Sequence, residues 1–387
     1  MENPFRRHLL SALLVLFGVH ANYGQAPAGG PTQAASDAHP TLQIGATAPD
    51  FNLKGVDGKK YTLASFKSAK VLVIAWMSNH CPTAQAYEDR LMKFTKDYAK
   101  KGVAVVAIMP NDPKSVSLSE LGYTDYGDSY EEMQWRAKDK GFNYPYLYDG
   151  DTETAAKAYG PVATPHLMVF DKDRKLVYSG RFDDVEKPTK TPTTHDLINA
   201  TEEVLAGKPV TVATTKVFGC STKWAEKADW RAKAEAQWAK EPVTISEIDV
   251  DGILELKKNN TNKLILINVW ATWCGPCVAE YHEFIDMYRM YRRRPFQFIS
   301  ISADDPTKKE GALDFLKESY SSVPNYIFSL EDKYKLIEAI DPNWNGALPY
   351  TMLIEPGGKL IYSHDGTIDP YKIKKLIADN PTVGRYF

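Results

Sequence analysis

The chain contains the same pattern twice. In "TPHLMVFDKDRKLVYSGRF" (residues 164–182), Pro165, Met168, Asp171, Lys175, Leu176, Tyr178 and Ser179 align at one constant offset with Pro349, Met352, Glu355, Lys359, Leu360, Tyr362 and Ser363 of "LPYTMLIEPGGKLIYSHDG" (348–366). Each stretch reads as two strands around a polar turn. Upstream of each lies the same order of elements. An apolar, β-branched run reads as a buried strand, "KVLVIAW" (70–76) or "KLILINVW" (263–270). A helix follows, over about 82–100 or 274–292, and then a second buried strand, "GVAVVAIM" (102–109) or "FQFISISAD" (296–304). Further helices are expected over 131–140, 151–159, 310–320 and 370–379. A shared proline, turn and strand ending predict a duplicated α/β fold, with a polar loop or insertion at 110–129 in the first copy only.

Between the copies, "STKWAEKADWRAKAEAQWAKE" (221–241) is rich in Ala, Glu and Lys and is stopped by Pro242. It reads as a connector helix with Trp224, Ala228, Ala234 and Trp238 on one face, packed on the first domain. The expected organisation is a segment 1–25, a flexible leader 26–41, a domain 42–212, a connector 213–242 and a domain 243–387.

The segment 1–25 sets the compartment. "RRH" precedes the apolar run "LLSALLVLFGVHA", and small residues follow at Ala21, Gly24 and Ala26. That is the order of a cleavable secretory signal peptide, with an uncleaved membrane anchor as the alternative. The expected location is the bacterial periplasm. The net charge of -2 gives no electrostatic reason for a nucleic-acid partner. Four cysteines in 387 residues are too few for a disulfide scaffold, so Cys81, Cys220, Cys274 and Cys277 point to chemistry.

The complete motif is "WCGPC", between a strand and a helix. It puts Cys274 at a helix N-terminus, where backbone N–H groups and the helix dipole stabilise a thiolate. That thiolate attacks a disulfide, and Cys277, one turn on, attacks the mixed disulfide and releases the reduced product. A zinc half-site would need a second ligand pair, which the sequence does not offer; a static disulfide is the other alternative.

At these residues the chain resembles the thioredoxin superfamily. From about 243 to 387 it is similar to exported TlpA/ResA-type thiol:disulfide oxidoreductases. The resemblance implies two tandem thioredoxin-like folds, each a central mixed sheet flanked by helices. It also implies that Cys274 attacks, that Cys277 resolves, and that Pro349 is the cis-proline beside the disulfide. Thioredoxin's buried aspartate is replaced here by Asn268. Glu280 stands where this group places an acidic residue, with a solvated helix charge as the plainer reading.

The first half, about 42–224, resembles redoxins of the alkyl hydroperoxide reductase and thiol-specific antioxidant group, in a branch typified by "CNHCP…YEDR". "AYGPVATPH" (158–166) and "TKVFGCSTKW" (215–224) also fit that branch. Ser78 replaces the first cysteine of the motif, so Cys81 is alone within it, in the register of Cys274, with Pro82 at the first helical position. Pro165 matches the cis-proline. A lone thiolate needs a resolving thiol, and Cys220 is the spare one. A Cys81–Cys220 disulfide reduced by the C-terminal pair is therefore one expectation, and a degenerate remnant is the other. Peroxide reduction would use Ser78 as the holding hydroxyl, although Ile74 stands where peroxiredoxins have a proline. His80, Cys81 and His166 form a candidate copper or zinc set.

These readings make the chain a thiol:disulfide oxidoreductase acting on disulfide-containing proteins. The alternatives are a peroxide reductase with a built-in reductant and a copper-binding or cytochrome-maturation factor. No NADPH or flavin motif appears, so no cofactor is expected, and a membrane thiol carrier is the expected electron donor.

Overall fold

A computed structural model describes residues 38–187 and 189–386. The signal segment and the start of the leader lie outside the described residues. The first half runs β1 (Asn52–Gly55), β2 (Lys60–Thr62), β3 (Val71–Trp76), α1 (Pro82–Ala99), β4 (Val103–Met109), α2 (Tyr130–Lys140), β5 (Tyr146–Tyr148), α3 (Thr154–Tyr159), β6 (Ala163–Thr164), β7 (His166–Phe170), β8 (Leu176–Gly180), α4 (Asp196–Leu205) and β9 (Cys220–Ser221). Seven of these strands form one sheet in the order β2-β1-β5-β4-β3-β7-β8, while β6 and β9 make a separate ribbon.

The second half runs α5 (Trp230–Trp238), β10 (Ser246–Ile248), α6 (Val250–Lys258), β11 (Leu264–Trp270), α7 (Gly275–Tyr291), β12 (Phe296–Ser302), α8 (Lys309–Glu318), β13 (Asn325–Phe328), α9 (Lys333–Ile340), β14 (Tyr350–Ile354), β15 (Leu360–Asp365) and α10 (Pro370–Asp379). Its sheet has the order β10-β13-β12-β11-β14-β15. The two halves share one core arrangement. β3 pairs parallel with β4 and antiparallel with β7, as β11 does with β12 and β14. The fold is thus α/β, with two tandem thioredoxin-like units built on mixed sheets.

The central strands read as unbroken apolar runs because both of their faces are covered. Side chains alternate along a strand, so Val71, Val73 and Ala75 enter the core on the α1 side, and Leu72, Ile74 and Trp76 the core on the other. In β11, Leu264, Leu266 and Trp270 face α7, while Ile265, Ile267 and Val269 face the opposite core.

The connector departs from the expected continuous helix. A short 3-10 turn at Ala225–Lys227 precedes α5, and the two tryptophans part company. Trp224 is buried in the first half's core. Trp238 lies under the Arg289 guanidinium of α7, 4.7 Å from ring to carbon. The segment is split, with Trp224 in the first half's core and Trp238 against α7, and α5 bridges the halves rather than packing on the first alone. Trp230 Nε1–H donates to the Lys114 carbonyl, and Arg231 pairs with Asp286 of α7 at 3.2 Å.

The polar segment at 110–129 makes the other half of this junction. Leu118 and Leu121 pack against the second half's core. The Tyr291 hydroxyl donates to the Thr124 carbonyl at 2.7 Å. Asp125 is buried and meets Arg385 at 3.0 Å, and Arg136 and Lys375 at 3.8 Å. Burial alone would raise the Asp125 pKa, but the hydrogen bond and charge of Arg385, with Arg136, hold it below the usual value. Arg136 in turn grips Glu88 of α1 through two hydrogen bonds of 3.0 and 2.8 Å.

Removing one partner from a buried ion pair leaves uncompensated charge, at a cost of about 3–5 kcal/mol. Asp125→Ala should therefore lose stability of that order in urea unfolding at pH 7, and tryptic cleavage should rise within residues 225–242. A carboxylate with a depressed pKa contributes above its unfolded pKa and loses that contribution as pH falls through the folded one. The gap between variant and parent should accordingly close in acid, below the ordinary aspartate value of 3.8.

Candidate active sites at two helix N-termini

Cys274 caps the N-terminus of α7, in extended backbone geometry, with proline in the first turn. The Cys277 N–H donates to its sulfur at 3.3 Å, and the two sulfurs are joined as a disulfide. Cys274 is 6% exposed and Cys277 1%, so the first sulfur is the more accessible. The preceding loop is fixed by buried Asp304, which accepts from the Thr272 N–H and hydroxyl. The bond before Pro349 is cis, and Pro349 leads into β14, whose Tyr350 pairs with Val269 on the strand that feeds the cysteine loop. Trp273, 71% exposed, and Val278, 39%, flank the motif as an apolar rim.

Asn268 is buried and donates to the Thr351 hydroxyl at 3.2 Å, so no acid sits at the centre of β11. The acidic group nearby is Glu280. It lies on α7 three residues after Cys277, and side chains at that spacing are neighbours on a helix surface. Its Oε2 accepts from the Ile368 N–H at 2.9 Å, while Oε1 is buried with no hydrogen-bond partner among the described residues. Burial raises its pKa to about 7, against the opposing pull of the Ile368 N–H. Glu280 is therefore a largely buried carboxyl held near neutrality rather than a solvated helix charge.

In the first half, Cys81 occupies the matching N-cap, on α1, with Pro82 in the first turn. It is fully buried. Its sulfur accepts from the Ala84 N–H at 3.4 Å and the Cys220 N–H at 3.3 Å, and donates to the Thr164 carbonyl at 3.0 Å. The bond between Thr164 and Pro165 is cis. β9 runs antiparallel to β6, with Cys220 opposite Thr164. The fold thus brings Cys81, Cys220, Thr164 and Pro165 to one place.

Burial alone would push the Cys81 thiol up. The hydrogen bond from the Cys220 thiol, the nearby His80 and the two N–H groups outweigh it and bring the pKa to about 6. Cys220 moves the opposite way, because its proton is shared with Cys81 and it lies in a low-dielectric setting. Ser78 is bonded to the Thr164 hydroxyl at 2.7 Å.

The expected metal set does not assemble. His166 is buried with both ring nitrogens engaged. Nδ1 accepts from the Val162 N–H at 3.4 Å, and Nε2 meets the Ser179 hydroxyl at 2.9 Å. Burial lowers its pKa to about 4, so it is a neutral core histidine. His80 turns to Asp128, Nδ1 to Oδ2 at 2.6 Å. Among the described residues no three His, Cys, Asp or Glu side chains converge as metal ligands.

The His80–Asp128 pair escaped the sequence reading. Asp128 is fully enclosed, and it accepts from the N–H groups of Asn79 and His80 and from Asn111 Nδ2. Burial opposes charge on His80, but Asp128 outweighs it and raises the His80 pKa. No motif announces the pair, because Asp128 belongs to the inserted polar segment and meets His80 only through the fold.

Two copies of one fold thus each set a cysteine at a helix N-terminus, and a cis-proline opens the neighbouring strand. That defines a protein of the thioredoxin superfamily with two such centres. The Redoxin family model matches residues 43–198 and 243–377, and the chain belongs to that family. Among curated proteins it is similar to the thiol-disulfide oxidoreductase ResA of Bacillus subtilis, 27% identical over 27% of this chain and 55% of that protein. It is also similar to the thiol:disulfide interchange protein DsbE of Escherichia coli K12, 32% identical over 28% of this chain and 52% of that one. The chain spans about half the length of these relatives. A solved hypothetical protein from Sinorhizobium meliloti is 36% identical over 48% of this chain and 96% of its own, with a TM-score of 0.43.

Gly219 lets β9 close over Cys81. Its φ is +139°, and an added Cβ would lie 2.1 Å from the Thr164 carbonyl oxygen. Gly219→Ala should lift β9 and remove the Cys220 N–H from the Cys81 sulfur. Alkylation of Cys81 by iodoacetamide, followed by peptide mass spectrometry, should then be at least roughly tenfold faster than in the parent protein. That factor is the equilibrium shift expected for about 1.4 kcal/mol of backbone strain.

Proposed function

We propose that the chain is an exported thiol:disulfide oxidoreductase that reduces or exchanges disulfides of other proteins through Cys274 and Cys277. The observation that carries this reading is an N-cap cysteine, more exposed than the one it is bonded to, with the unpartnered oxygen of Glu280 one helical turn beyond. In the reduced state the Cys274 thiolate attacks one sulfur of a substrate disulfide, and the other sulfur leaves as a thiolate. Glu280 takes the proton from Cys277, which attacks Cys274 and frees the second substrate thiol. Trp273 and Val278 offer an apolar rim for the substrate chain, and Pro349 its backbone contact. Reducing equivalents come from a membrane thiol carrier. The names of the relatives ResA and DsbE support the reaction class, and the "RRH…LLSALLVLFGVHA" segment supports export.

An intrachain relay from this pair to Cys81 gains no support from the geometry. Met290 and Tyr291 of α7, which meet Gly122 and Thr124 of the first half, lie in its last turn. Cys274 is at the other end of this 17-residue helix, about 25 Å from that end along its axis.

The test is reduction of insulin disulfides by dithiothreitol. Cys274→Ser should abolish catalysis, and full activity in that variant would overturn the reading. Cys277→Ser should trap a mixed disulfide with insulin on a non-reducing gel. Glu280→Gln should slow turnover near pH 7 on the order of 10²-fold, within the usual reach of a general base, and should leave formation of the trapped species in Cys277→Ser unchanged. Glu280 also predicts a stability trend. Its folded pKa, about 7, lies above the ordinary glutamate value of 4.5, so the native state holds more protons between those values, and stability falls as pH rises through that window. Glu280→Gln should remove that fall in urea titrations.

A further inference from the structure

The first half holds two thiols that the proposed reaction does not use. Cys81 comes from the start of α1 and Cys220 from β9, and the structure places them in contact as free thiols. Contact is achieved across a large gap in sequence by three fitted pieces. β6 pairs with β9 so that Thr164 faces Cys220. Gly219 lets the backbone pass over the Thr164 carbonyl. Lys223, three residues after Cys220, secures the departing chain through its N–H to Asn111 Oδ1 at 2.9 Å and its ammonium to Glu120.

We propose that Cys81 and Cys220 are a second redox-active dithiol, in which Cys220 is the sulfur that outside thiols and disulfides reach and Cys81 is the buried sulfur that leaves and returns. Two independent features set this direction. The first is access: Cys81 is 0% exposed, whereas Cys220 is partly exposed. The second is thiolate stabilisation. Cys81 has the helix N-terminus, the Ala84 N–H, the Cys220 N–H and, beside it, His80 anchored on Asp128. In exchange reactions the attacked sulfur must be reachable, and the more stabilised thiolate leaves faster. Both criteria select attack at Cys220 with departure of Cys81. The lowered pKa of Cys81 beside the raised one of Cys220 agrees. The second half has the reverse arrangement, since there the N-cap sulfur of Cys274 is the more exposed member.

The steps balance as simple exchange. With the pair oxidised, an external thiolate attacks Cys220 Sγ. A sulfur–sulfur bond forms to Cys220, the Cys81–Cys220 bond breaks, and its electron pair stays on Cys81 as the thiolate. A second external thiolate attacks the sulfur of the first one in the mixed disulfide, releasing Cys220, which takes a proton from solvent. Two external thiols become one disulfide, and the protein gains two electrons. The reverse sequence passes those electrons to an external disulfide.

The experiment uses the full chain carrying Cys274→Ser and Cys277→Ser, so its outcome is independent of the reaction proposed for that site. Incubation with glutathione disulfide, alkylation and non-reducing peptide mapping should yield a linked Cys81–Cys220 peptide that dithiothreitol removes. Two alkylatable thiols remaining after oxidation would overturn the pair. A short pulse of reduced glutathione on the preformed disulfide, stopped in acid, should leave glutathione on Cys220 with Cys81 free. Glutathione on Cys81 would overturn the direction.

Discussion

A sulfur at the N-cap of a helix that follows a central strand is the constraint around which each half is arranged. The helix supplies unpaired N–H groups that no other local structure can offer. They must lie at the end of a central strand if the sulfur is to meet a partner across the sheet. β3 and β11 deliver Cys81 and Cys274 to that point, and in both halves the strand that pairs antiparallel with them begins after a cis-proline.

The inserted polar segment ties the second half to that arrangement. Within four residues it contributes Asp125, which receives Arg385 from beyond α10, and Asp128, which holds His80 beside Cys81. Both carboxylates are buried and both are held below their ordinary pKa by cations that burial alone would not favour. The segment therefore sets the electrostatics of the first site and the seating of the second half together.

The sequence carried the fold to the extent that apolar periodicity and the repeat could carry it. β3, β4, β11 and β12 were legible as buried runs, the two hairpins as strand pairs around a polar turn, and α10 as 370–379 to the residue. Short edge elements were not. β1, β2, β5, β10 and β13 have three or four residues each, too few for a period to show. α4, α6 and α9 were also missed, as modest helices in segments that the repeat does not mark. The connector misled because Trp224 and Trp238 fit one helical face on paper, while in the fold Trp224 enters the first half's core and Trp238 lies under Arg289 of α7. Of the sites, the "WCGPC" motif was plain in sequence because its chemistry is local. The His80–Asp128 pair was invisible because it depends on a loop crossing, and His166 looked like a ligand until Val162 and Ser179 were seen to occupy its ring.

The contrast between the halves comes down to where the second sulfur enters. In the second half it is one helical turn away, so the ring closes within α7, the N-cap cysteine remains the more exposed of the two, and the Glu280 carboxyl stands one turn further. In the first half Ala84 occupies the corresponding turn, and its N–H serves the Cys81 sulfur while its methyl packs in the core. The second sulfur then has to come from another strand, and that strand covers the first sulfur as it arrives. Covering it removes solvent from the thiolate, which would be costly without the N–H groups and the anchored histidine. The His80–Asp128 pair is best understood as that compensation. A fold that moves its partner thiol from helix to strand must supply charge from elsewhere, and the inserted segment is the element positioned to supply it.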